Sequence, residues 1–87
     1  MPLSEITEAK NKTVGTKQTI KALQKGKVRK VFIALDAEKR VTDPVLALCK
    51  EKDVPVEAVD TMESLGKSCG IAVGCACAAI LDPGKEV

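Results

Sequence analysis

Apolar residues recur along this chain at two spacings, one typical of helices and one typical of buried strands. Residues 15–25 place Ile20 and Leu23 on one helical face and three lysines on another. Gly26 follows directly, and glycine is a common residue just past a helix end. The continuous apolar run 31–35, between charged flanks, is typical of a strand covered on both faces. The pattern therefore predicts a helix that ends at Gly26 and leads into a buried strand.

The segments on either side of this pair show weaker patterns of the same kind. Residues 2–10 predict a short first helix, and residues 13–14 predict a brief extended segment. A further helix is expected to be capped by Thr42 or Asp43, with Pro44 in its first turn, where proline is tolerated.

The second half of the chain continues the alternation. Residues 54–59 contain a proline and predict a short strand near a sheet edge. Residues 61–67 predict a helix, 74–81 a strand of small residues, and 82–84 a closing turn. Helices the length of crossovers alternate with strands, which predicts an α/β protein. We expect a single domain, residues 1–87, built as a three-layer α/β/α sandwich with a mixed sheet of about four strands.

Charge is distributed unevenly. The net charge is only +2, but from Lys10 to Leu35 there are eight basic residues and no acidic one. A field of one sign attracts polyanions such as nucleic acid. Phe32 is the only aromatic residue, so a nucleic-acid site could not rely on bases stacked on aromatic rings. No apolar run is long enough to span a membrane and the first residues do not resemble a secretion signal, so we expect a cytoplasmic protein.

Four cysteines and no histidine limit the options for metal and redox chemistry. Metal sites favour paired Cys-x-x-Cys motifs or histidine partners, which this chain lacks. Cys75 and Cys77 lie two apart in the predicted strand, so we expect them on one face as small core side chains. A thiol redox or metal role is the alternative, and Cys69, beside a glycine, is its most exposed candidate. We expect no bound metal and no cofactor.

The motifs of nucleotide-binding and catalytic proteins are absent or incomplete. The Gly15-Thr16-Lys17 sequence lacks the first glycine and the hydroxyl after lysine of a phosphate-binding loop. Without histidine, no nucleophile is placed beside a base, so we do not expect an enzyme. Asp36 and Glu38 could form an acid pair, but a solvated loop is the simpler interpretation.

Three segments, in this order, resemble a known family. They are residues 15–22 (GTKQTIKA), residues 31–37 (VFIALDA) and residues 65–71 (LGKSCGI). The chain resembles the kink-turn RNA-binding ribosomal proteins called L-seven-Ae and L-thirty-e, including the small bacterial YbxF-type members. The likeness runs from about Ala9 to Leu81.

The resemblance implies that the chain binds a kink-turn, an RNA helix bent sharply at a bulge next to tandem sheared G·A pairs, either on the ribosome or elsewhere. It assigns three groups of residues to this role. The helix start would meet the G·A pairs and nearby phosphates, the loop acid Glu38 would approach the flipped-out bulge nucleotide, and an aliphatic loop would pack on that nucleotide. The helix start comprises Gly15, Thr16, Lys17, Gln18 and Lys21, and the loop comprises Ile71, Ala72 and Val73. Many members have Asn-Glu where this chain has Lys17-Gln18.

A protein of a different class stays open at this point. The same fold could serve as a protein-interaction adaptor that docks through the acidic second half, where residues 41–87 carry a net charge of −4. Fold alone does not separate the two functions. The basic stretch before Leu35 favours RNA, and a titration against a kink-turn and a plain duplex would discriminate them.

Overall fold

The computed structural model describes residues 11–71 and 73–81. Within these ranges strands and helices alternate. The elements are β1 (Lys12–Val14), α1 (Thr16–Lys25), β2 (Val28–Ala34), α2 (Lys39–Lys52), β3 (Val56–Val59), α3 (Met62–Ser68) and β4 (Cys77–Leu81). The predicted helix at 2–10 and turn at 82–84 lie outside the described residues.

The strands form one mixed sheet in the order β1-β4-β2-β3. β4 lies between β1 and β2 and is antiparallel to both, whereas β2 and β3 are parallel. The last of the described strands is therefore central, and β3, with its preceding proline, is an edge strand as predicted. A mixed sheet of four strands is confirmed.

Helices cover both faces of this sheet because β2 alternates its buried side chains between them. Val31 and Ile33 belong to a core cluster with Leu23 of α1 and Val45 of α2. Phe32 belongs to a second cluster, on the opposite face, with the side chain of Leu65 from α3. Fully burying a side chain of this size contributes about 1.5–3 kcal/mol. The three layers are thus α1 and α2, the sheet, and α3, which confirms the predicted α/β/α arrangement.

The predicted start of α2 is wrong. The helix begins at Lys39, and Pro44 lies in its interior instead of its first turn. The backbone N–H groups of Val41 and Thr42 both donate to the carbonyl of Glu38, at 2.9 and 3.2 Å, so the first turn closes before the proline is reached. Pro44 has no N–H, so the carbonyl of Arg40 lacks the helical hydrogen bond that it would otherwise accept. Because Arg40 is exposed, water can solvate that carbonyl.

The expectation that Cys75 and Cys77 share one face is also wrong. β4 begins at Cys77 and not at Gly74, since the N–H of Cys75 donates to the carbonyl of Met62 at 3.1 Å. Cys75 is therefore tied to the helix before it and packs on the α3 side, whereas Cys77 packs on the side of α1 and α2. Alternation of faces holds only within a strand.

Candidate functional site

One end of the sheet brings together three connections that are far apart in sequence. Gly15, which follows β1, donates its N–H to the carbonyl of Cys77 at 2.9 Å. At the end of β2, the N–H of Ala34 donates to the carbonyl of Ala76 at 2.8 Å. The antiparallel position of β4 thus places the start of α1, the loop before α2 and the loop before β4 at the same end.

The start of α1 is open to solvent. Gly15 is the N-cap, with φ 103° and ψ 154°, a backbone conformation that residues other than glycine rarely adopt. A Cβ added at this position would have no neighbouring atom within 4 Å. The N–H of Thr19 donates to the carbonyl of Gly15 at 3.0 Å, and the three amides before it have no partner within the helix. With no acidic residue in this first turn, the positive end of the helix dipole is uncompensated.

Of the predicted site residues in α1, one anchors the helix start to the sheet and three have exposed side chains. The hydroxyl of Thr16 accepts a hydrogen bond from the thiol of Cys77, with 3.4 Å between oxygen and sulfur. Lys17, Gln18 and Lys21 are exposed. Thr16 therefore fixes the helix start against β4, and the other three form its accessible polar surface.

The aliphatic loop is fixed against α3 through its backbone. The N–H of Ile71 donates to the carbonyl of Gly66 at 3.1 Å. Gly66 is buried in α3, and a Cβ there would collide with the carbonyl oxygen of Val73. Ile71 is half-buried against the α3-side core, whereas Val73 is 70% exposed. Ala72 lies outside the described residues. The exposed apolar surface of the loop therefore includes Val73.

Asp36 and Glu38 have separate surroundings and do not form an acid pair. A carboxylate oxygen of Asp36 accepts the N–H of Met62 at 2.8 Å, which ties the loop after β2 to the first residue of α3. Glu38 is exposed and lies 3.3 Å from the Nε of Arg40. The side chains of Glu38 and Arg40 are both largely solvated, so the ion pair between them adds little stability.

Leu35 is a surface residue that the sequence pattern did not identify. Its N–H donates to the carbonyl of Val59 at 2.7 Å, but its side chain is 62% exposed. Leu35 thus adds apolar surface at the end of the sheet that also holds the aliphatic loop. The sequence signal was its position as the last residue of the apolar run, directly before Asp36.

The four cysteines are free and buried, which matches the structural role expected of them. The expectation that Cys69 is the most exposed of the four is wrong, since 7% of it is accessible and 8% of Cys75. Burial, with a smaller effect from Cys77, raises the pKa of Cys49 to about 11. Burial and the neighbouring Cys69 raise the pKa of Cys75 to about 12. Thiols with such pKa values are protonated at neutral pH and are poor nucleophiles.

The described ranges contain no cluster of three or more Cys, Asp or Glu side chains that could hold a metal ion. None of the helices in the same ranges is long and apolar enough to cross a membrane.

The fold and this site define a small α/β sandwich protein in which a basic helix start and an aliphatic loop share one end of a mixed sheet. The family model of the ribosomal protein L7Ae/L30e/S12e/Gadd45 family matches residues 3–87. The chain belongs to this family, which confirms the resemblance seen in its sequence.

Similar proteins cover nearly the whole chain. An RNA-binding protein of Geobacillus sp. (strain WCH70) is 44% identical over 81 residues, 93% of this chain and 99% of the relative. The RNA-binding protein YbxF of Geobacillus stearothermophilus is 43% identical over the same shares. Among solved structures, the Giardia lamblia 15.5kD RNA binding protein superposes with a TM-score of 0.78 at 23% identity, covering 94% of this chain and 69% of that one. This last likeness bears on the fold alone.

Proposed function

We propose that this chain is a non-enzymatic RNA-binding protein that recognises and stabilises kink-turn RNA in the cytoplasm. The observation that carries the proposal is the hydrogen bond from the N–H of Gly15 to the carbonyl of Cys77, 2.9 Å long. It holds the open start of α1 beside the strand into which the aliphatic loop leads. The close relatives named RNA-binding proteins support RNA as the partner.

The start of α1 supplies donors for bases and phosphates. Lysine donates readily to the O6 and N7 acceptors of guanine, and sheared G·A pairs leave guanine edges accessible. In the proposal Lys17 and Gln18 meet these edges. Lys21, one turn further along the exposed face, meets a phosphate, and the free amides of the first turn add to the attraction for anions.

The aliphatic loop covers the bulge nucleotide. A base outside the stack exposes apolar surface to water, and covering that surface is favourable. Val73 offers such a surface without an aromatic ring, and Leu35 extends it. Glu38, held near Arg40, approaches the same nucleotide. A protein that contacts the helix arm and the bulge together favours the kinked RNA over the extended one, because only the kinked form satisfies both contacts.

The proposal includes ribosomal RNA as one class of target. The family description names ribosomal proteins, so a kink-turn in ribosomal RNA is one target class to test. Cosedimentation of the protein with ribosomes, with and without a competing free kink-turn, would measure it. Release of the protein by the competitor is the expected result, and failure to sediment with ribosomes at low salt would argue for another RNA.

A titration with two RNAs tests the main proposal. We expect tighter binding to a kink-turn than to a duplex of equal length that lacks the bulge and the G·A pairs. Lys17→Ala should weaken kink-turn binding by about 1–3 kcal/mol, the range for a lost base contact. The matched control is Lys50→Ala, an exposed lysine at the far end of α2.

The control is chosen for its surroundings. Lys30, another lysine outside the site, pairs with Glu57 at 3.4 Å and is less exposed, so its loss would also disturb the fold. Equal binding of the two RNAs by the unmodified protein would refute kink-turn recognition. Equal losses for Lys17→Ala and Lys50→Ala would refute the role of the helix start.

A further inference from the structure

A groove of about 250 Å³ runs along α1, away from the helix start. One wall is formed by Gln18, Lys21, Ala22 and Lys25, which are spaced as one helical face. The other side includes Leu81 at the end of β4. The groove therefore shares Gln18 and Lys21 with the proposed RNA site and continues beyond them to Lys25, which is not assigned to that site.

The turn after α1 adds a third lysine to this groove. Gly26 adopts the left-handed conformation, with φ 75° and ψ 25°. Its N–H donates to the carbonyl of Leu23 at 3.0 Å, and the N–H of Lys27 donates to the carbonyl of Ala22 at 3.3 Å. This pair of bonds is a Schellman motif, which folds the chain back over the last helical turn. As a result Lys27 lines the groove together with Lys25.

The groove concentrates positive charge, because three of the described residues that line it are lysines. Lys21, Lys25 and Lys27 are exposed, and none of them forms an ion pair with another residue in the ranges that the structure describes. Among the described residues, none that lines the groove is acidic. Ammonium groups that line the same groove repel one another, and an anion placed among them relieves that repulsion.

We propose that this groove binds the phosphodiester backbone of the RNA arm that leaves the start of α1. The inference rests on the proposed function and extends it to a second contact, made through phosphates and independent of base sequence. Seven residues of helix separate Gln18 from Lys25, about 10 Å at 1.5 Å per residue. Measured along the axis of a duplex, where the phosphates of one strand are about 3.4 Å apart, that length corresponds to about three phosphates. A shallow, open groove suits a polymer backbone that passes through it.

The salt dependence of binding tests this proposal. The probe is a kink-turn whose arm on the α1 side has about ten base pairs, compared with one whose arm has about three. The variant is Lys25→Gln with Lys27→Gln, and the control is Lys50→Gln with Lys52→Gln, which removes equal charge from two exposed lysines of α2. Circular dichroism confirms that each variant is folded.

We expect the groove variant to lower the slope of log affinity against log salt by about 2 on the long arm, one for each lost phosphate contact. The control variant should change that slope much less, and the short arm should bind both variants and the unmodified protein with similar slopes. An unchanged slope for the groove variant, or an equal change for the control, would overturn the proposal. The lysines would then be a solvated face, with Lys25 stabilising the end of α1.

Two further measurements distinguish backbone binding from binding of free phosphate and from a failure of kink-turn recognition. If inorganic phosphate bound the unmodified protein and not the groove variant, while the two proteins had equal salt slopes on the long arm, the groove would be a site for free phosphate and the backbone assignment would be overturned. Failure of the kink-turn proposal has a different signature, because the unmodified protein would then bind the plain duplex as tightly as the kink-turn. A slope difference between groove and control variants on that duplex would still support backbone binding.

Discussion

Replacement of Gly66 by alanine tests whether α3 positions the aliphatic loop. Gly66 is buried in the middle of α3, and its backbone lies directly under the loop. A Cβ at this position would collide with the carbonyl oxygen of Val73 and lie 3.0 Å from the Cα of Gly74. Both neighbours are backbone atoms, so no side-chain rotation can relieve the collision.

The expected loss of stability in Gly66→Ala is the difference between two opposing effects. Alanine is favoured over glycine inside a helix by about 0.5–1 kcal/mol. Overpacking of a tight site costs about 1–3 kcal/mol, and the upper end applies here because backbone must move. The net destabilisation should therefore be about 2 kcal/mol. For a domain of this size that corresponds to a fall of roughly 8–16 °C in the melting temperature.

The assay has two readouts and a control in the same helix. Thermal and denaturant unfolding report the stability of Gly66→Ala, and a titration with kink-turn RNA reports the position of the loop. Ser64→Ala is the control, since this residue lies two positions earlier in α3. Alanine should stabilise the helix slightly at that position, by roughly 0.5 kcal/mol. We expect Gly66→Ala to lose both stability and RNA affinity, and Ser64→Ala to lose neither.

Each result has its own meaning. If Gly66→Ala were as stable as the control, the loop would not be packed on α3 as described, and the reasoning from the glycine contact would be refuted. If the variant were destabilised but bound kink-turn RNA with unchanged affinity when folded, the loop would not contribute to binding. The second result would leave the packing argument intact and remove the loop from the proposed site.

The remaining predictions concern the exposed loop residue and the thiols. Val73→Asp places a charge on a side chain that is 70% exposed, so the fold should persist while RNA bending, measured by energy transfer between dyes on the two arms, is reduced; wild-type bending would exclude Val73 as a base contact. The four buried thiols should react with an alkylating reagent at pH 8 only after unfolding, and rapid labelling of the native protein would contradict their burial. Because the pKa values of Cys49 and Cys75 are raised from 9.0 to about 11 and about 12, the unfolded state loses these protons first. The contribution of these two thiols to the free energy of unfolding should therefore be constant below pH 9, and the free energy of unfolding should fall as the pH rises above 9. Replacing both residues with alanine should reduce that fall.

Local pattern was sufficient for the elements whose burial is regular. The apolar run of β2 is buried on both faces, so its continuous hydrophobicity predicted a central strand. The glycine at 26 ends α1 because the left-handed turn there disfavours other residues. The edge position of β3 followed from the proline beside it. In each case the deciding interaction lies within a few residues of the signal.

Backbone hydrogen bonds, some of them to distant segments, decided the features that the hydrophobic pattern did not predict. Pro44 is typical of a first turn, yet α2 begins five residues before it, because the carbonyl of Glu38 closes a turn earlier. Cys75 follows the two-residue spacing of a strand, but a hydrogen bond to Met62 removes it from the sheet. Leu35 continues an apolar run and yet faces solvent. For Cys75 and Leu35, nothing nearby in sequence indicates the partners, which are Met62 and Val59.

The candidate site also combines features that the sequence predicted with features that it did not. Its residues were proposed from the sequence, whereas their surroundings depend on the topology of the sheet. β4 enters the centre of the sheet antiparallel to β2, so its beginning meets the ends of β1 and β2. The helix start and the aliphatic loop are brought together by that topology. The loop in turn depends on α3, through Gly66 and through the carbonyl of Met62. It follows that a substitution that displaces the backbone under the loop, such as Gly66→Ala, should alter RNA binding although it lies remote from α1 in sequence and outside the proposed RNA contact. Exposed substitutions at the end of α2 should not alter it.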